Sequence, residues 1–352
     1  MKRIIFTLSL ILSLILTSCG GSAAPASKSG GAKGRPAWMD NPASVYPESQ
    51  YISALGAGDT RQAAETNASA NLTKRFKVQI DVDDMMLRRY ESFTKLSGTM
   101  TESLSESQQR QIQSRSSETL IDVQFSEIYT DNLGRVNVLA FLDRKKSGDL
   151  YSKRIQDNLQ SIDVYLANEA RSVDIPEKYA YTNAALAISQ VNEQMLEQLD
   201  IISPAHKSRL LVDESRRMAA LSEKQQKIAK QIGFSVAIAG DDDQKITIQV
   251  QQAISKLGFQ LSPQAILKVN GSVDYEALDL RRDNLIFYGW QLDLKLTDLS
   301  GKTLISIVER GREGGLDETV AKRNAVRQMS KIISKRFQKD LTDYFDRMLI
   351  KR

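Results

Sequence analysis

The sequence is poor in the side chains that most often build covalent and metal-dependent sites. Its 352 residues include one cysteine, Cys19, and one histidine, His206. A single cysteine excludes an internal disulfide, so packing must supply the stability. Zinc sites made of histidine and cysteine, and catalytic triads that depend on histidine, are nearly excluded as well. We therefore expect no metal and no cofactor, and we expect His206, at a predicted helix start, to be solvated.

The excess of positive charge is also small. The formal net charge is +5, and it falls to +3 once Lys2 and Arg3 are removed. For a chain of this length, that excess argues against a nucleic-acid partner. Hydrophobic residues make up 41% and charged residues 26%, which is typical of a folded body with an apolar core.

A long apolar run lies at the amino terminus. Residues Ile4–Leu16 follow Lys2 and Arg3 and are too few to span a membrane, which is typical of a signal-peptide core. The run closes with Leu16-Thr17-Ser18-Cys19, and this ending resembles the lipobox of bacterial lipoproteins. The resemblance implies cleavage after residue 18 and covalent attachment of acyl chains, such as palmitate, at Cys19. The alternative is an ordinary secretory signal with an incidental cysteine.

Residues 19–35 predict a flexible tether that begins at the lipidated cysteine. Glycine, serine and alanine dominate this stretch, and it offers nothing that could join a core. Gly20, rather than an aspartate, follows Cys19. In lipoproteins of double-membraned bacteria, that pattern resembles release to the outer membrane. We therefore expect a lipid-anchored protein on the periplasmic side of the outer membrane.

The rest of the sequence predicts an α+β fold, with two small sheet-plus-helix domains joined by a helical region. In residues 36–144, a short strand at Tyr51–Leu55 precedes a helix with small or apolar residues at every fourth position. Residues 145–232 show the three-and-four apolar spacing of packed helices, with a break at Ser203-Pro204. In residues 233–352, apolar residues alternate with polar ones from Trp290 to Leu296, which predicts a half-buried strand.

Both predicted domains carry family resemblances. The first resembles the LPP-twenty lipoprotein family, which implies an envelope location and no enzymatic activity. The matching segments are Pro36-Ala37-Trp38-Met39-Asp40-Asn41-Pro42, Tyr51–Gly58 and the alanine-rich stretch Ala63–Leu72. The second domain is similar to lipoprotein activators of penicillin-binding proteins and to curli-secretion-type assembly lipoproteins, which implies a partner protein. That similarity rests on Asn270-Gly271-Ser272-Val273 and on residues Leu296–Lys302.

The last predicted helix, Asp317–Leu349, has an apolar stripe and a basic face. The stripe should pack on the carboxyl-terminal sheet, and it consists of Met329, Ile333, Phe337, Leu341, Tyr344 and Met348. Five cations repeat every four residues on another face: Arg323, Arg327, Lys331, Lys335 and Lys339, here called the basic row. Like charges at this spacing destabilise a helix, a cost that an anionic partner could offset. The row is therefore a candidate contact with an anionic surface, and a solvated face is the alternative.

No motif in the sequence predicts catalysis. The acidic run Asp241–Asp243 lacks the alternating spacing of a calcium loop and predicts a helix start instead. We expect a non-catalytic binding or assembly factor of the cell envelope, with membrane lipid and an envelope protein or the cell wall as partners. No small-molecule substrate is evident. The alternative is a peptidoglycan-acting glycosidase that uses two carboxylates, although nothing in the sequence selects the pair.

Overall fold

The computed structural model describes residues 34–76, 84–98, 120–282 and 284–350. Met1–Pro36 and Ala37–Arg352 are two separate units by their contacts, and the second is compact. The second unit contains both helices and sheets, which confirms the predicted α+β class. The division into domains at residues 144 and 232 stays a prediction.

The first part of the unit builds a small sheet around β4. A short 3-10 turn, Pro42–Ser44, precedes β1, and β4 pairs antiparallel with β1 on one side and with β2 and β3 on the other. The elements are α1 (Ala37–Asp40), β1 (Tyr51–Gly58), α2 (Arg61–Arg75), α3 (Asp84–Leu96), β2 (Gln124–Phe125), β3 (Tyr129–Thr130) and β4 (Val136–Asp143).

Helix α2 packs very closely on one face of this sheet. Its buried stripe consists of Ala64, Ala68 and Leu72, as the four-residue repeat predicts. The approach is closest at Gly56 of β1, where an added Cβ atom would lie 2.1 Å from the backbone nitrogen of Ala68. Only glycine fits at that position, because the obstructing atoms belong to the helix backbone.

Helix α2 also covers the outer edge of β1. Three of its side chains, one per turn, donate hydrogen bonds of 2.6–2.9 Å to alternate carbonyls of the strand. Four residues of helix and two residues of strand advance by similar distances, about 6 and 7 Å, so the two repeats stay in step. The pairs are Asn67 with Ala57, Asn71 with Leu55, and Arg75 with Ser53.

Three long helices follow: α4 (Arg144–Arg171), α5 (Ile175–Ile202) and α6 (Pro204–Ala229). The break predicted at Ser203-Pro204 is where α5 ends and α6 begins. Helices α4 and α5 share a core with the first sheet, since Tyr151, Ile155 and Ile188 lie in the same buried cluster as Ile52 and Val138. The helical region and the first sheet therefore share one hydrophobic core.

The last part of the unit builds a second sheet, in the order β6-β5-β7-β8-β9. Strands β5, β6 and β7 are parallel, and β7, β8 and β9 form an antiparallel meander. The elements are β5 (Gly233–Ala239), α7 (Lys245–Lys256), β6 (Gln260–Leu261), β7 (Leu267–Arg282), β8 (Leu285–Thr297), β9 (Thr303–Gly315), α8 (Glu318–Ile332), one π-helical turn (Ile333–Phe337) and α9 (Gln338–Met348).

The two cores meet through aromatic and charged contacts. Tyr179 of α5 lies 4.8 Å from Phe259 and 4.6 Å from Phe345, between ring centroids. Arg89 of α3 donates to both carboxylate oxygens of Asp346 on α9, at 2.7 and 3.1 Å. Burial raises the pKa of Asp346, and this bidentate pair opposes the rise. The amino-terminal and carboxyl-terminal parts of the unit are therefore joined by direct side-chain contacts.

The contact between Gly56 and α2 gives a stability prediction. We expect Gly56→Ala to lower the free energy of unfolding by about 1–3 kcal/mol, because the added methyl group forces strand and helix apart. Gly289→Ala is the matched control, since its nearest neighbouring atom, Cδ2 of Leu278, would lie at an ordinary 3.5 Å. Urea denaturation measures both variants, and equal losses would contradict the close approach at Gly56.

Candidate functional site

The described structure includes the basic row but not the predicted lipid-attachment site. Cys19 lies outside the described residues, so acylation there stays a prediction. All five cations of the basic row are exposed, on the side of the helix away from the second sheet. The row extends over 17 residues, from Arg323 to Lys339, or about 24 Å of helix.

A π-helical turn keeps the row on one face. A four-residue repeat drifts by about 40° per step around an α-helix, so a long row would wind away from its starting face. The π turn at Ile333–Phe337 accommodates one extra residue, and this rotates the residues that follow back toward the starting face. The buried stripe accordingly keeps its four-residue spacing, with Ala321, Ala325, Met329, Ile333, Phe337, Leu341 and Phe345 all buried.

The apolar stripe differs from the predicted one at its end. Phe345 is 1% exposed and occupies the core position, whereas Tyr344 and Met348 are only partly buried. The difference arises because the four-residue repeat continues through the π turn, while the prediction shifts to three-residue spacing after Leu341. Helix α8 packs on the second sheet as predicted, and α9 instead contacts α5 and the edge strand β9.

Four of the five cations have no acidic partner within the described part of the chain. Lys339 donates to Asp343 at 2.5 Å, and this hydrogen bond raises the pKa of Lys339. The neighbouring cations off the row are also paired: Lys322 with Glu318 at 2.7 Å, and Arg336 with Glu309. Arg323, Arg327, Lys331 and Lys335 therefore present a line of uncompensated positive charge.

His206 is not the solvated side chain that the sequence predicts, and that prediction is wrong. The side chain is 19% exposed, and both ring nitrogens are hydrogen-bonded: Nδ1 with Ser203 Oγ at 2.7 Å and Nε2 with Asp149 at 3.0 Å. Gly148 makes room for the ring, since a Cβ there would lie 2.8 Å from Nδ1. The contact ties α4 to the α5–α6 turn, and spacing alone could not reveal it.

The residue types at His206 match those of a hydrolase triad, but their setting favours a structural role. Asp149 is 55% exposed and also accepts from Lys145 at 2.9 Å, and these contacts lower its pKa. A triad carboxylate is normally buried and reserved for the imidazole. Ser203 lies directly between two helices, three residues before His206, so the pair is a local turn contact. We interpret Asp149, Ser203 and His206 as a structural contact between helices.

A buried polar chain crosses the helical region. Tyr90 donates to Asn158 at 2.9 Å, Asn158 to Asn192 at 2.6 Å, and Asn192 to Glu214 at 3.3 Å. These residues come from α3, α4, α5 and α6, so the chain links four helices. Among the described residues, Glu214 Oε1 is buried without a hydrogen-bond partner, and the nearest cation, Arg217 Nε, lies 4.0 Å away. Burial raises the pKa of this carboxyl group.

The acidic run Asp241–Asp243 lies just before helix α7. Asp241 accepts from the backbone nitrogens of Ile246 and Thr247, at 3.2 and 2.7 Å, which confirms the predicted helix start. In the described ranges, no cluster of three histidine, cysteine, aspartate or glutamate side chains could hold a metal ion. None of the described helices is long and apolar enough to cross a membrane.

The comparisons with known proteins leave the family open. No protein-family model and no curated protein matches the chain. A secreted protein of Helicobacter pylori is similar at 10% identity over 83% of this chain and 98% of that one, with a TM-score of 0.33. A minor lipoprotein of Acinetobacter baumannii is similar at 11% identity over 33% of this chain and 93% of that one, with a TM-score of 0.23. Scores this low carry no argument about family or function.

The buried carboxyl group of Glu214, whose Oε1 atom lacks a hydrogen bond, gives a pH-dependent prediction. Because the folded state raises the pKa of this carboxyl, it holds the proton more tightly than the unfolded chain does. The stability contributed by protonation is complete below the unfolded pKa of about 4.3 and is lost as the pH rises through the folded value. We expect Glu214→Gln, which cannot ionise, to raise the free energy of unfolding at pH 8 by on the order of 1 kcal/mol, and by less at pH 4.

A matched control lies on the same helix. Glu223 is exposed and its pKa is lowered by a hydrogen bond from Lys227, so Glu223→Gln should give no gain at pH 8. Denaturation of both variants across this pH range makes the comparison. A gain that is independent of pH would show that Glu214 does not titrate as described.

Proposed function

We propose that this protein is an outer-membrane-anchored lipoprotein that acts as a non-catalytic binding or assembly factor in the cell envelope. The observation that carries the proposal is the placement of Cys19, the single cysteine, directly after an apolar run with the residues Leu16-Thr17-Ser18 before it. Acyl chains on Cys19 would anchor the protein, and residues 20–35 would let the compact unit reach a partner. The LPP-twenty resemblance of Pro36–Leu72 supports the same location.

The basic row supplies the binding surface in this proposal. Arg323, Arg327, Lys331 and Lys335 are exposed and lack acidic partners in the described structure, so they can meet an anionic surface without losing existing ion pairs. Each cation near an anionic membrane contributes about 1 kcal/mol at physiological ionic strength. Anionic phospholipid headgroups beneath the tether are the surface that we favour, because anchoring would keep the row near them.

Anchoring by Cys19 is tested by removing the thiol. We expect Cys19→Ala to abolish incorporation of labelled fatty acid and to release the protein from the membrane fraction, because each acyl CH₂ contributes about 0.8 kcal/mol of anchoring. Ser18→Ala keeps a small residue before the cysteine and should remain labelled. Incorporation of fatty acid into the Cys19→Ala protein would overturn the lipid-attachment proposal.

The role of the basic row is tested by reversing its charge. Arg327→Glu, Lys331→Glu and Lys335→Glu together should weaken binding of the Ala37–Arg352 unit to anionic vesicles at least tenfold, and binding of the unchanged unit should fall as salt rises. The control is the triple variant Arg209→Glu, Arg216→Glu and Lys230→Glu, which makes the same charge change at exposed positions of α6 and beyond its end. Equal binding by both variants, with no salt dependence, would favour a solvated face.

A further inference from the structure

The outer edge of β9 is open over its first half. Strand β9 is at the edge of the second sheet, and among the described strands it pairs with β8 alone. Its first six residues, Thr303–Val308, carry no charge. Edge strands present unpaired backbone N–H and C=O groups along one side, and proteins usually protect long ones with charges, prolines or a covering element.

The two sheets treat their edges differently. The edge of β1 is closed by Asn67, Asn71 and Arg75, which donate to its outward carbonyls. Strand β6, at the far edge of the second sheet, is only two residues long. Along Thr303–Val308, by contrast, no side chain from the described ranges bonds to the backbone. The open edge of β9 therefore differs from the edges at β1 and β6.

A groove runs along this open edge. It has a volume of about 490 Å³ and lies between β9 and the last helix, α9. Leu304 and Ser306 border it from one face of the strand, and Ile305 borders it from the other, so the groove follows the strand's edge. Helix α9 forms the opposite wall with Asp340, Asp343, Asp346 and Arg347.

The wall contributed by α9 is mainly acidic. Asp346 accepts both of its hydrogen bonds from Arg89. Among the described residues, Asp343 and Asp340 pair with cations of the same helical run, Lys339 at 2.5 Å and Arg336 at 3.7 Å. Exposed helical pairs of this kind contribute little to stability, so an incoming cation can replace them at little cost.

We propose that the edge of β9 binds an extended segment of a partner protein as an added β-strand, with basic side chains directed at Asp340 and Asp343. Main-chain hydrogen bonds to Thr303–Val308 would supply affinity, and the two carboxylates would select the side chains. A second copy of this chain would bring its own α9, with the same acidic side chains, beside its β9. A single extended segment with basic side chains is therefore the occupant that the charges of the groove fit. This proposal uses neither Cys19 nor the basic row, so it stands apart from the function proposed above.

The test uses the full chain in detergent and three labelled hexapeptides, with binding measured by fluorescence anisotropy. The first peptide alternates lysine and valine, the second alternates glutamate and valine, and the third is the lysine peptide with alternate backbone nitrogens methylated. We expect the lysine peptide to bind at least tenfold more tightly than either of the others. Equal binding of the methylated peptide would overturn strand addition, since it keeps the charges and loses the backbone donors.

Variants of the protein test the position of the site. Asp340→Asn with Asp343→Asn should weaken the lysine peptide at least fivefold. Asp157→Asn is the control, because Asp157 pairs with Lys153 at 3.0 Å in the same four-residue spacing, at similar exposure, but on α4. Equal affinities of all three proteins, with unchanged melting by circular dichroism, would overturn the assignment to this groove. Self-association that is seen by sedimentation and abolished by Ser306→Lys would also overturn the proposal, since the edge would then bind a second copy of this chain.

Discussion

Helix α5 has to be buried along nearly its whole length, and the rest of the compact unit depends on this constraint. Tyr181, Ile188 and Leu199 face the core of the first sheet, whereas Tyr179 and Ala180 belong to the core of the second. A helix that is apolar on several sides cannot lie at a surface. Helices α4, α6 and α3 and the end of α9 cover it. Since α5 contributes to the cores of both sheets, the two sheets are parts of one packed body.

Burial of α5 would be less specific without the polar chain that crosses it. Asn192 on α5 accepts from Asn158 on α4 and donates to Glu214 on α6. These bonds form in only one mutual register of the three helices, whereas an apolar interface of small residues such as Ala184 and Ala185 would tolerate sliding. Glu214 Oε1, which is buried without a hydrogen bond, shows that this specificity is obtained at a cost in stability.

Local periodicity predicts much of this fold. The buried face of α2, the Trp290–Leu296 strand, the Ser203-Pro204 break and most of the last apolar stripe follow from side-chain spacing and are confirmed. The His206–Asp149 contact and the Asn192–Glu214 hydrogen bond do not follow from side-chain spacing, because the paired residues lie 57 and 22 positions apart in the sequence. The basic row is visible in the sequence, but the lack of acidic partners for four of its five cations among the described residues is not, since Glu309 pairs with Arg336 from another element.

The last helical segment gives the two proposed surfaces a shared boundary. The basic row faces solvent on one side of this helix, and the groove along β9 lies on another, with the Lys339–Asp343 pair between them. Neutralising Asp343 therefore frees Lys339 and strengthens the row while it weakens the groove. Asp340 lies 3.7 Å from Arg336, which is itself paired with Glu309, so its removal disturbs the row less. Substitutions of Arg327, Lys331 and Lys335 should affect the row without affecting the groove, because none of the three has an acidic partner among the described residues.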